Sequence, residues 1–214
     1  MKITSIQKQK RNQKHYSVFV DYKYSFSVSE ETLLKSGIKD GDNLEQADID
    51  RIAGEEQNSK AFESALHLLE YSSRSKKELK DRLLRKKLPP EAVDGALARI
   101  ERIGYINDDK FAREFAQSLI VKGKGPALIR AELGRKGIPQ ETISEVMKGM
   151  PESSDVVLEH ARAIAEKKLK AMKDKPPEVI AHRLTGFLAR RGFSPDTVRE
   201  ILKSLKKGLE NSTD

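Results

Sequence analysis

The sequence predicts a mainly α-helical protein: an elongated array of tandem three-helix repeats, preceded by a small N-terminal β-hairpin or three-strand element. Three observations support this fold class. Strand-like alternation of apolar and polar residues is confined to the first 28 residues. No strand pattern follows from about Glu45 onward. From residue 61 the chain repeats itself, with apolar positions that recur at constant offsets of 50 and then 55 residues.

The N-terminal element consists of short predicted strands. Aromatic and β-branched residues alternate with polar ones, which is typical of strands, at Val18, Val20, Tyr24, Phe26 and Val28. The polar residues Asp21 to Lys23 interrupt this run and predict a hairpin turn. A further strand is predicted over Lys2 to Lys10, with a turn near Asn12 to Lys14. Three short strands bury little apolar surface alone, so we expect them to pack on a helix.

A short helix is predicted next. Ser29 is a suitable N-cap, acidic residues follow it, and Gly37 is a suitable stop. After a turn-rich loop, residues 45–71 have helical spacing. Gly54 interrupts that spacing, so the segment is either one long helix or two.

The internal repeat is the most informative feature of the chain. Each copy reads as a pair of helices with a proline close to the start of the second, at Pro90, Pro139 or Pro195, where a missing N–H costs little. Five apolar positions stay in register: Leu79, Ile129 and Leu184; Leu83, Leu133 and Leu188; Leu88, Ile138 and Phe193; Val93, Ile143 and Val198; and Leu97, Met147 and Leu202.

A further amphipathic helix precedes each pair, so the repeating unit has three helices. One such unit cannot bury its apolar face well, whereas stacked neighbours can. We therefore divide the chain into 1–44 (β element and short helix), 45–60 (connecting helix), 61–106, 107–150 and 151–208 (repeats 1, 2 and 3), and 209–214 (tail).

The charge of the chain favours a polyanionic partner. The net charge is +8, and residues 61–214 hold 31 basic and 23 acidic side chains. Such a surplus suits nucleic acid. The absence of Cys excludes disulfides, thiolate metal sites and a cysteine nucleophile. There is neither an apolar run of membrane-spanning length nor a secretory signal, so we expect a cytoplasmic protein.

No catalytic constellation emerges from the sequence. The four histidines, His15, His67, His160 and His182, lack metal-ligand spacing, and no nucleotide-binding glycine motif is present. The run Lys122 to Pro126 (KGKGP) could touch a phosphate, but the simpler interpretation is the end of one helix and the start of the next. We expect no cofactor and no enzymatic activity.

The candidate binding residues are basic side chains at recurring positions. Helix C-termini favour cations by about 0.3–1 kcal/mol, which explains one pair of them, but three pairs along one edge would form a basic stripe. A second cluster precedes a helix in the first repeat, where its charge opposes the helix dipole. The candidates are Arg74, Lys76, Lys77, Arg85, Lys86, Lys87, Arg135, Lys136, Arg190 and Arg191.

Three runs resemble the RecX family, the bacterial regulators of the RecA recombinase. They are LLEYSSRSKKELKDRLLRK (Leu68 to Lys86), GYINDDKFAREFAQS (Gly104 to Ser118) and KGKGPALIRAELGRKGI (Lys122 to Ile138). The resemblance implies tandem three-helix repeats. It also implies binding to the RecA–DNA filament, with inhibition of ATP hydrolysis, strand exchange and filament growth that damps recombination and the SOS response. One departure is that a single arginine precedes Ser75 here.

Other functions stay open at this point. A stand-alone nucleic-acid-binding protein would use the same basic stripe without a protein partner, through phosphate-directed and salt-sensitive contacts. A hydrolase would need a carboxylate or hydroxyl site that pattern reading does not detect. We expect a monomer that makes weak, non-specific contacts with the DNA phosphate backbone and none with a membrane.

Overall fold

The computed structural model describes residues 1–149, 155–172 and 174–210, the last four of these without their side chains. Within this part of the chain the predicted mainly α fold is confirmed: a three-stranded antiparallel sheet comes first and helices follow. The chain divides into two compact units, Met1–Ile106 and the part from Asn107 onward. Residues 150–154, where the second and third predicted repeats meet, and residues 211–214 of the predicted tail lie outside the described residues.

The sheet contains the three predicted strands, in the order β1-β2-β3. They are β1 (Ile3–Lys8), β2 (His15–Val20) and β3 (Lys23–Ser29). One face of the sheet buries Ile3, Val18 and Val28, and Ile52 of the following long helix joins this core. The expected packing of the strands on a helix is therefore confirmed.

The sheet also contains two irregularities that the alternation of the sequence does not reveal. Val18 pairs with Phe26 but Phe19 pairs with Tyr24, so Ser25 is an extra residue in β3. Such a bulge reverses the side on which the next residue points. Strict alternation would place Tyr24 on the same face as Phe26 and Val28, but the ring of Tyr24 lies against Phe19, with centroids 6.1 Å apart. A second register shift occurs between Ile3 and Ser5.

Two helices follow the sheet, α1 (Glu30–Ser36) and α2 (Gln46–Tyr71). Ser29 caps α1 by accepting a hydrogen bond from the Thr32 amide, and Gly37 ends it with a φ of 67°, as predicted. The segment around Gly54 is one continuous helix of 26 residues. The predicted boundary at residue 60 therefore lies within α2, whose second half serves as the first helix of repeat 1.

The rest of the first unit consists of α3 (Lys76–Arg85) and α4 (Pro90–Arg102). The register positions Leu79, Leu83, Val93 and Leu97 are buried there, and Leu88 is half-buried. The hydrophobic pattern therefore describes the core of this repeat correctly.

The second unit holds two further sets of three helices. The first set is α5 (Asp108–Val121), α6 (Pro126–Arg135) and α7 (Gln140–Lys148). The second set is α8 (Asp155–Lys170), α9 (Pro177–Arg190) and α10 (Pro195–Glu210). Each set encloses its own apolar core, and the register positions are buried in both sets except for Leu202, which is half-buried.

Candidate functional site

The recurring basic residues lie in three turns of the same geometry, which we call the basic turns. They are Arg85–Lys87 after α3, Arg135–Gly137 after α6 and Arg190–Gly192 after α9. In each turn the first residue ends the helix, the second is its C-cap, and the third has a left-handed backbone with φ of 60°, 76° or 85°. Their equivalence, read from the register of the sequence, also holds in the backbone.

This geometry explains why cations are favourable here. In the second unit the amide after each turn donates back to the helix, from Ile138 to the Leu133 carbonyl at 3.2 Å and from Phe193 to the Leu188 carbonyl at 3.3 Å. That pattern is the Schellman motif, which closes a helix at a left-handed residue. The remaining partial negative charge of the helix end attracts nearby Lys and Arg side chains.

All three residues of the basic turn in the first unit are exposed. Arg85 donates from Nε to the Asp81 carbonyl at 3.2 Å, one helical turn back. Lys86 and Lys87 are exposed, and no side chain within the described residues pairs with either ammonium group. Lys87 has a φ of 60° where the other two basic turns have glycine. Its charge is thus presented to solvent from a backbone conformation that is costly for a residue with a Cβ.

The second residue of each basic turn in the second unit is engaged inside the protein. Lys136 is half-buried, with its ammonium group 5.1 Å from the Phe115 ring centre. Arg191 is half-buried above Phe187, with 4.8 Å between the guanidinium carbon and the ring centre. Arg191 also donates from Nη1 to the carbonyls of Lys122 and Gly123, at 2.9 and 3.0 Å.

The first residue of each of these turns remains accessible. The side chain of Arg135 is 66% exposed and forms an ion pair with Glu132 at 2.8 Å. Arg190 is exposed beside Gly186. Within the second unit, Arg135 and Arg190 are therefore the candidates best placed to meet a partner.

The glycine-rich run Lys122 to Pro126 joins α5 to α6, as the simpler interpretation predicted. The amides of Gly123 and Lys124 donate to carbonyls at the end of α5, and the Gly125 amide donates to the Arg191 carbonyl at 2.7 Å. Because these amides are all used, the run does not offer a phosphate a cradle of N–H groups. Instead, the third basic turn packs against this run, as the hydrogen bond from the Gly125 amide to the Arg191 carbonyl shows.

The second cluster lies at the start of α3, with Lys76 and Lys77 in its first turn, and it has local partners. Ser75 is a buried N-cap, and its hydroxyl accepts from the Glu78 amide. Arg74 donates from Nε to the Leu68 carbonyl near the end of α2 at 3.1 Å. Lys76 pairs with Glu101 at 2.7 Å, and Lys77 pairs with Asp81 at 3.5 Å. These internal partners explain why basic residues are found at the start of this helix, which the sequence did not reveal.

Candidate catalytic groups are dispersed. The histidines lie in four different elements, and His15 has the buried carboxylate of Glu56 at 3.5 Å. Over residues 1–149, 155–172 and 174–210, no group of His, Asp and Glu is arranged to hold a metal ion. Within the same residues, no helix has both the length and the apolar character needed to cross a bilayer.

Sequence reasoning gave no role to the tyrosines of the N-terminal sheet. Tyr22 and Tyr24 are 90% and 59% exposed. The one sequence signal was the placement of tyrosine in a hairpin turn, where Asn or Gly would be usual. The bulge at Ser25, which brings Tyr24 beside Phe19, leaves no such signal.

Taken together, the fold and the basic turns define a helical-repeat protein with exposed cationic turns. Family models of RecX match four separate segments: the "Regulatory protein RecX N-terminal domain" at residues 1–45, and the first, second and third three-helix domains of RecX at 61–99, 107–147 and 155–202.

Individual proteins agree with the family models. The chain is 35% identical to "Regulatory protein RecX" of Listeria innocua over 200 residues, 93% of this chain and 74% of the relative. It is 33% identical to that of Bacillus subtilis over 213 residues, 99% of this chain and 79% of the relative. A crystal structure of regulatory protein RecX superposes with a TM-score of 0.73 at 28% identity, covering 95% of this chain and 98% of that one. The chain belongs to the RecX family of regulatory proteins.

Proposed function

We propose that this protein is a negative modulator of RecA. It binds the RecA–DNA filament and inhibits ATP hydrolysis, strand exchange and filament growth, and it thereby damps recombination and the SOS response. The observation that carries this proposal is that the N-terminal domain and all three repeats match RecX models in the family's own order. The relatives are named as regulatory proteins, which supports a role by binding rather than by catalysis, and we place this role in the cytoplasm as part of the proposal.

The repeat architecture suits a filament as a partner. A filament presents the same surface many times, and a chain of repeats carries the same turn several times. Weak contacts that are linked in one chain add through effective concentration, so modest individual affinities give tight overall binding. We further propose that the protein acts as a monomer. Its proposed segments are 1–44, 45–60, 61–106, 107–150, 151–208 and 209–214.

The accessible residues of the basic turns are the proposed contacts. Lys86, Lys87, Arg135 and Arg190 carry exposed charge, as does Arg85, and they would meet acidic groups of RecA or DNA phosphates. Lys136 and Arg191 lie in the same turns but are held by Phe115 and Phe187. We assign these two mainly to the stability of the second unit and only secondarily to binding. Arg74, Lys76 and Lys77 have internal partners and form the weaker set of candidates.

A charge-reversal experiment tests this assignment. The doubly substituted variant Lys86→Glu/Lys87→Glu removes two exposed cations that have no side-chain partner among the described residues. Lys167→Glu/Lys170→Glu is the matched control, because it makes the same charge change on exposed residues of the last turn of α8. We expect the first variant to bind the RecA filament at least about tenfold more weakly, a loss of about 1.4 kcal/mol.

Both variants should keep the helicity of the unmodified protein and lose a similar, small amount of stability, because each reverses two charges near a helix C-terminus. Equal weakening by the control would show that only total charge matters. Unchanged binding by the Lys86/Lys87 variant would show that these exposed cations only stabilise the end of the helix and do not contact the filament.

The alternative function is that of a stand-alone nucleic-acid-binding protein, and the net charge of +8 is the observation that favours it. In that case naked DNA should bind tightly, with an affinity that falls steeply as salt rises. Weak binding to naked DNA together with strong effects on the filament favours the RecA modulator.

A further inference from the structure

The outer face of the N-terminal sheet contains none of the residues of the basic turns and has an unusual composition. We call it the sheet face. On the side opposite the buried Val18 and Val28, the sheet face has two rows of paired residues that cross the three strands. They are Ser5–Phe19–Tyr24 and Gln7–Ser17–Ser27. Tyr22 lies in the two-residue turn between β2 and β3, which follows the Val20–Lys23 pair at the end of the sheet nearest the aromatic row. The sheet face thus has an aromatic end and a polar, uncharged middle.

The aromatic end is open to solvent. Tyr22 is 90% exposed and Tyr24 is 59% exposed, while Phe19 supports Tyr24 from its side in an edge-to-face contact. The Tyr24 hydroxyl is within 3.0 Å of the Ser27 hydroxyl, which fixes the direction of the ring. Exposed rings that are held in place cost little further ordering when a flat ligand stacks on them.

The turn that carries Tyr22 is strained and clamped. Tyr22 has a φ of 65° and Asp21 a φ of 48°, in the left-handed region that glycine and asparagine prefer. The Tyr22 amide donates to the Thr4 hydroxyl at 3.1 Å, and the Lys2 amide donates to the Asp21 carboxylate at 3.0 Å. A bulky residue kept in such a conformation, without burial to compensate, points to a function of its ring.

The polar middle is neutral and its hydroxyls are organised. Gln9 donates from Nε2 to the hydroxyls of Ser17 and Ser27, at 3.1 and 2.8 Å. Gln9 directly follows β1, so its side-chain amide links the end of this strand to Ser17 of β2 and Ser27 of β3 across the sheet face. The arrangement leaves the middle free of carboxylates, so an anion that lies across it meets no like charge.

Basic side chains lie at the end of the sheet face opposite the aromatic end. Residues 1–29 hold six basic side chains and a single acid, Asp21, although the segment that follows is acidic. Lys10, Arg11 and Lys14 are all exposed in the loop between β1 and β2. Because the strands are antiparallel, that loop lies at the opposite end of the sheet from the Tyr22 turn.

We propose that the sheet face binds single-stranded DNA. Unpaired bases stack on Tyr22 and Tyr24, and the same DNA strand continues across the polar middle, where phosphates further along it are neutralised by Lys10, Arg11 and Lys14 at the other end. Exposed aromatic rings combined with a basic margin are the means by which single strands are held with little sequence preference, because every base has a π-face. The choice of DNA rests on the proposed function, in which the protein acts where RecA occupies a DNA strand.

Single strands fit the sheet face better than the other polyanions. A duplex hides the faces of its bases, so it could use the lysines but not the tyrosines. An acidic peptide could likewise pair with the lysines but has no planar group for each exposed ring. The site also shares no residue with the basic turns, so it can be tested without RecA.

The test is the fluorescence anisotropy of a labelled oligothymidine titrated with the full chain. The main variant is Tyr22→Gly, since glycine suits the backbone at φ 65° and the fold is kept. We expect this variant to bind roughly tenfold more weakly, in line with the loss of one stacked base. Tyr22→Phe, which keeps the ring, should bind as the unmodified protein does.

Two further variants separate stacking from other causes. Tyr105→Ala removes a tyrosine that is 64% exposed outside the sheet and should leave the affinity unchanged. The triple variant Lys10→Gln/Arg11→Gln/Lys14→Gln should bind more weakly and depend less on salt, because phosphate contacts set that dependence. The proposal is wrong if Tyr22→Gly and Tyr24→Ala bind oligothymidine as tightly as the unmodified protein.

Competitors complete the test. If Tyr22→Gly weakened binding to a blunt-ended duplex as much as it weakened binding to oligothymidine, stacking would be contradicted. A clear preference of the unmodified protein for oligouridine over oligothymidine would contradict the assignment to DNA. RecA ATPase is measured separately on the same proteins. Binding of oligothymidine through Tyr22 without any effect on RecA would support the sheet face and defeat only the proposed function.

Discussion

Gly125 passes so close to Gly192 that position 125 has no room for a side chain, and Gly192 in turn has no room because it packs against Leu128. A Cβ on Gly125 would lie 2.5 Å from the Gly192 carbonyl carbon, and a Cβ on Gly192 would lie 2.4 Å from the Leu128 amide nitrogen. The Ala127 amide donates to the Gly192 carbonyl at 3.1 Å. The third basic turn is therefore hydrogen-bonded to the start of α6, close to the turn between α5 and α6. This contact joins the two three-helix sets of the second unit.

This close approach predicts that Gly192→Ala is severely destabilising. Alanine would clash with the backbone of Leu128 and would also have to adopt a φ of 85°. We expect a loss of about 2–5 kcal/mol, combining steric overpacking with left-handed strain. Urea unfolding of the full chain measures it. Gly134→Ala is the control: it lies in α6 with open space around it and should gain up to about 1 kcal/mol from helix propensity.

The contacts of Arg191 predict a structural role distinct from that of its neighbour. Arg191→Ala removes two hydrogen bonds to carbonyls and a cation–π contact, so it should cost about 1–3 kcal/mol of unfolding free energy. Arg190→Ala, one residue away and exposed, should stay within about 0.5 kcal/mol of the unmodified protein. Equal stability of the two variants in urea would contradict this division of roles.

The backbone of Lys87 predicts opposite effects on stability and on binding. Glycine at this position relieves a φ of 60°, so Lys87→Gly should raise the unfolding free energy by up to about 1 kcal/mol. The same variant removes an exposed cation of the first basic turn and should weaken filament binding. Thermal unfolding and filament pelleting, performed on one preparation, measure the two effects. A variant that is more stable and binds equally well would show that Lys87 has no contact role.

The pKa of the Glu31 carboxyl is lowered, chiefly by the hydrogen bond from Lys35 and further by the Lys35 charge and the Ser59 hydroxyl, against an opposing effect of burial. A lowered pKa in the folded state means that this carboxylate stabilises the protein above its unfolded pKa. That contribution disappears as the pH falls through the folded pKa. Glu31→Gln should therefore lose stability at neutral pH but not in acid.

The size of the Glu31 effect should be small, about 0.5 kcal/mol or less, because the ion pair with Lys35 is largely exposed. Urea unfolding at neutral pH and below the lowered pKa provides the comparison. Stability differences that persist in acid would contradict the assigned cause.

The sequence predicts those features that depend on local chemistry or on periodicity. The caps Ser29 and Gly37 follow from residue type, and the buried positions such as Leu83, Leu133 and Leu188 follow from the repeat. Even the left-handed position of Lys87 could be inferred, because the register aligns it with two glycines.

Features that depend on distant contacts could not be predicted in this way. Arg191 reaches carbonyls 68 and 69 residues earlier in the chain, so nothing near it in sequence distinguishes it from Arg190. The bulge at Ser25 is a local choice of strand pairing that does not change the pattern of apolar residues, yet it decides which face Tyr24 occupies. Surface roles are therefore the part of this protein for which the structure adds most.

The most direct test of the proposed function is the DNA-dependent ATPase of the cognate RecA, with the full chain titrated in. We predict that ATP hydrolysis falls when there is far less than one copy of this protein per RecA, because a bound modulator at one place limits the growth of a filament. Loss of activity only near a one-to-one ratio would indicate coating of the filament groove instead. An unchanged ATPase, together with tight binding to naked DNA, would contradict the account and leave a basic helical-repeat protein that binds nucleic acid alone.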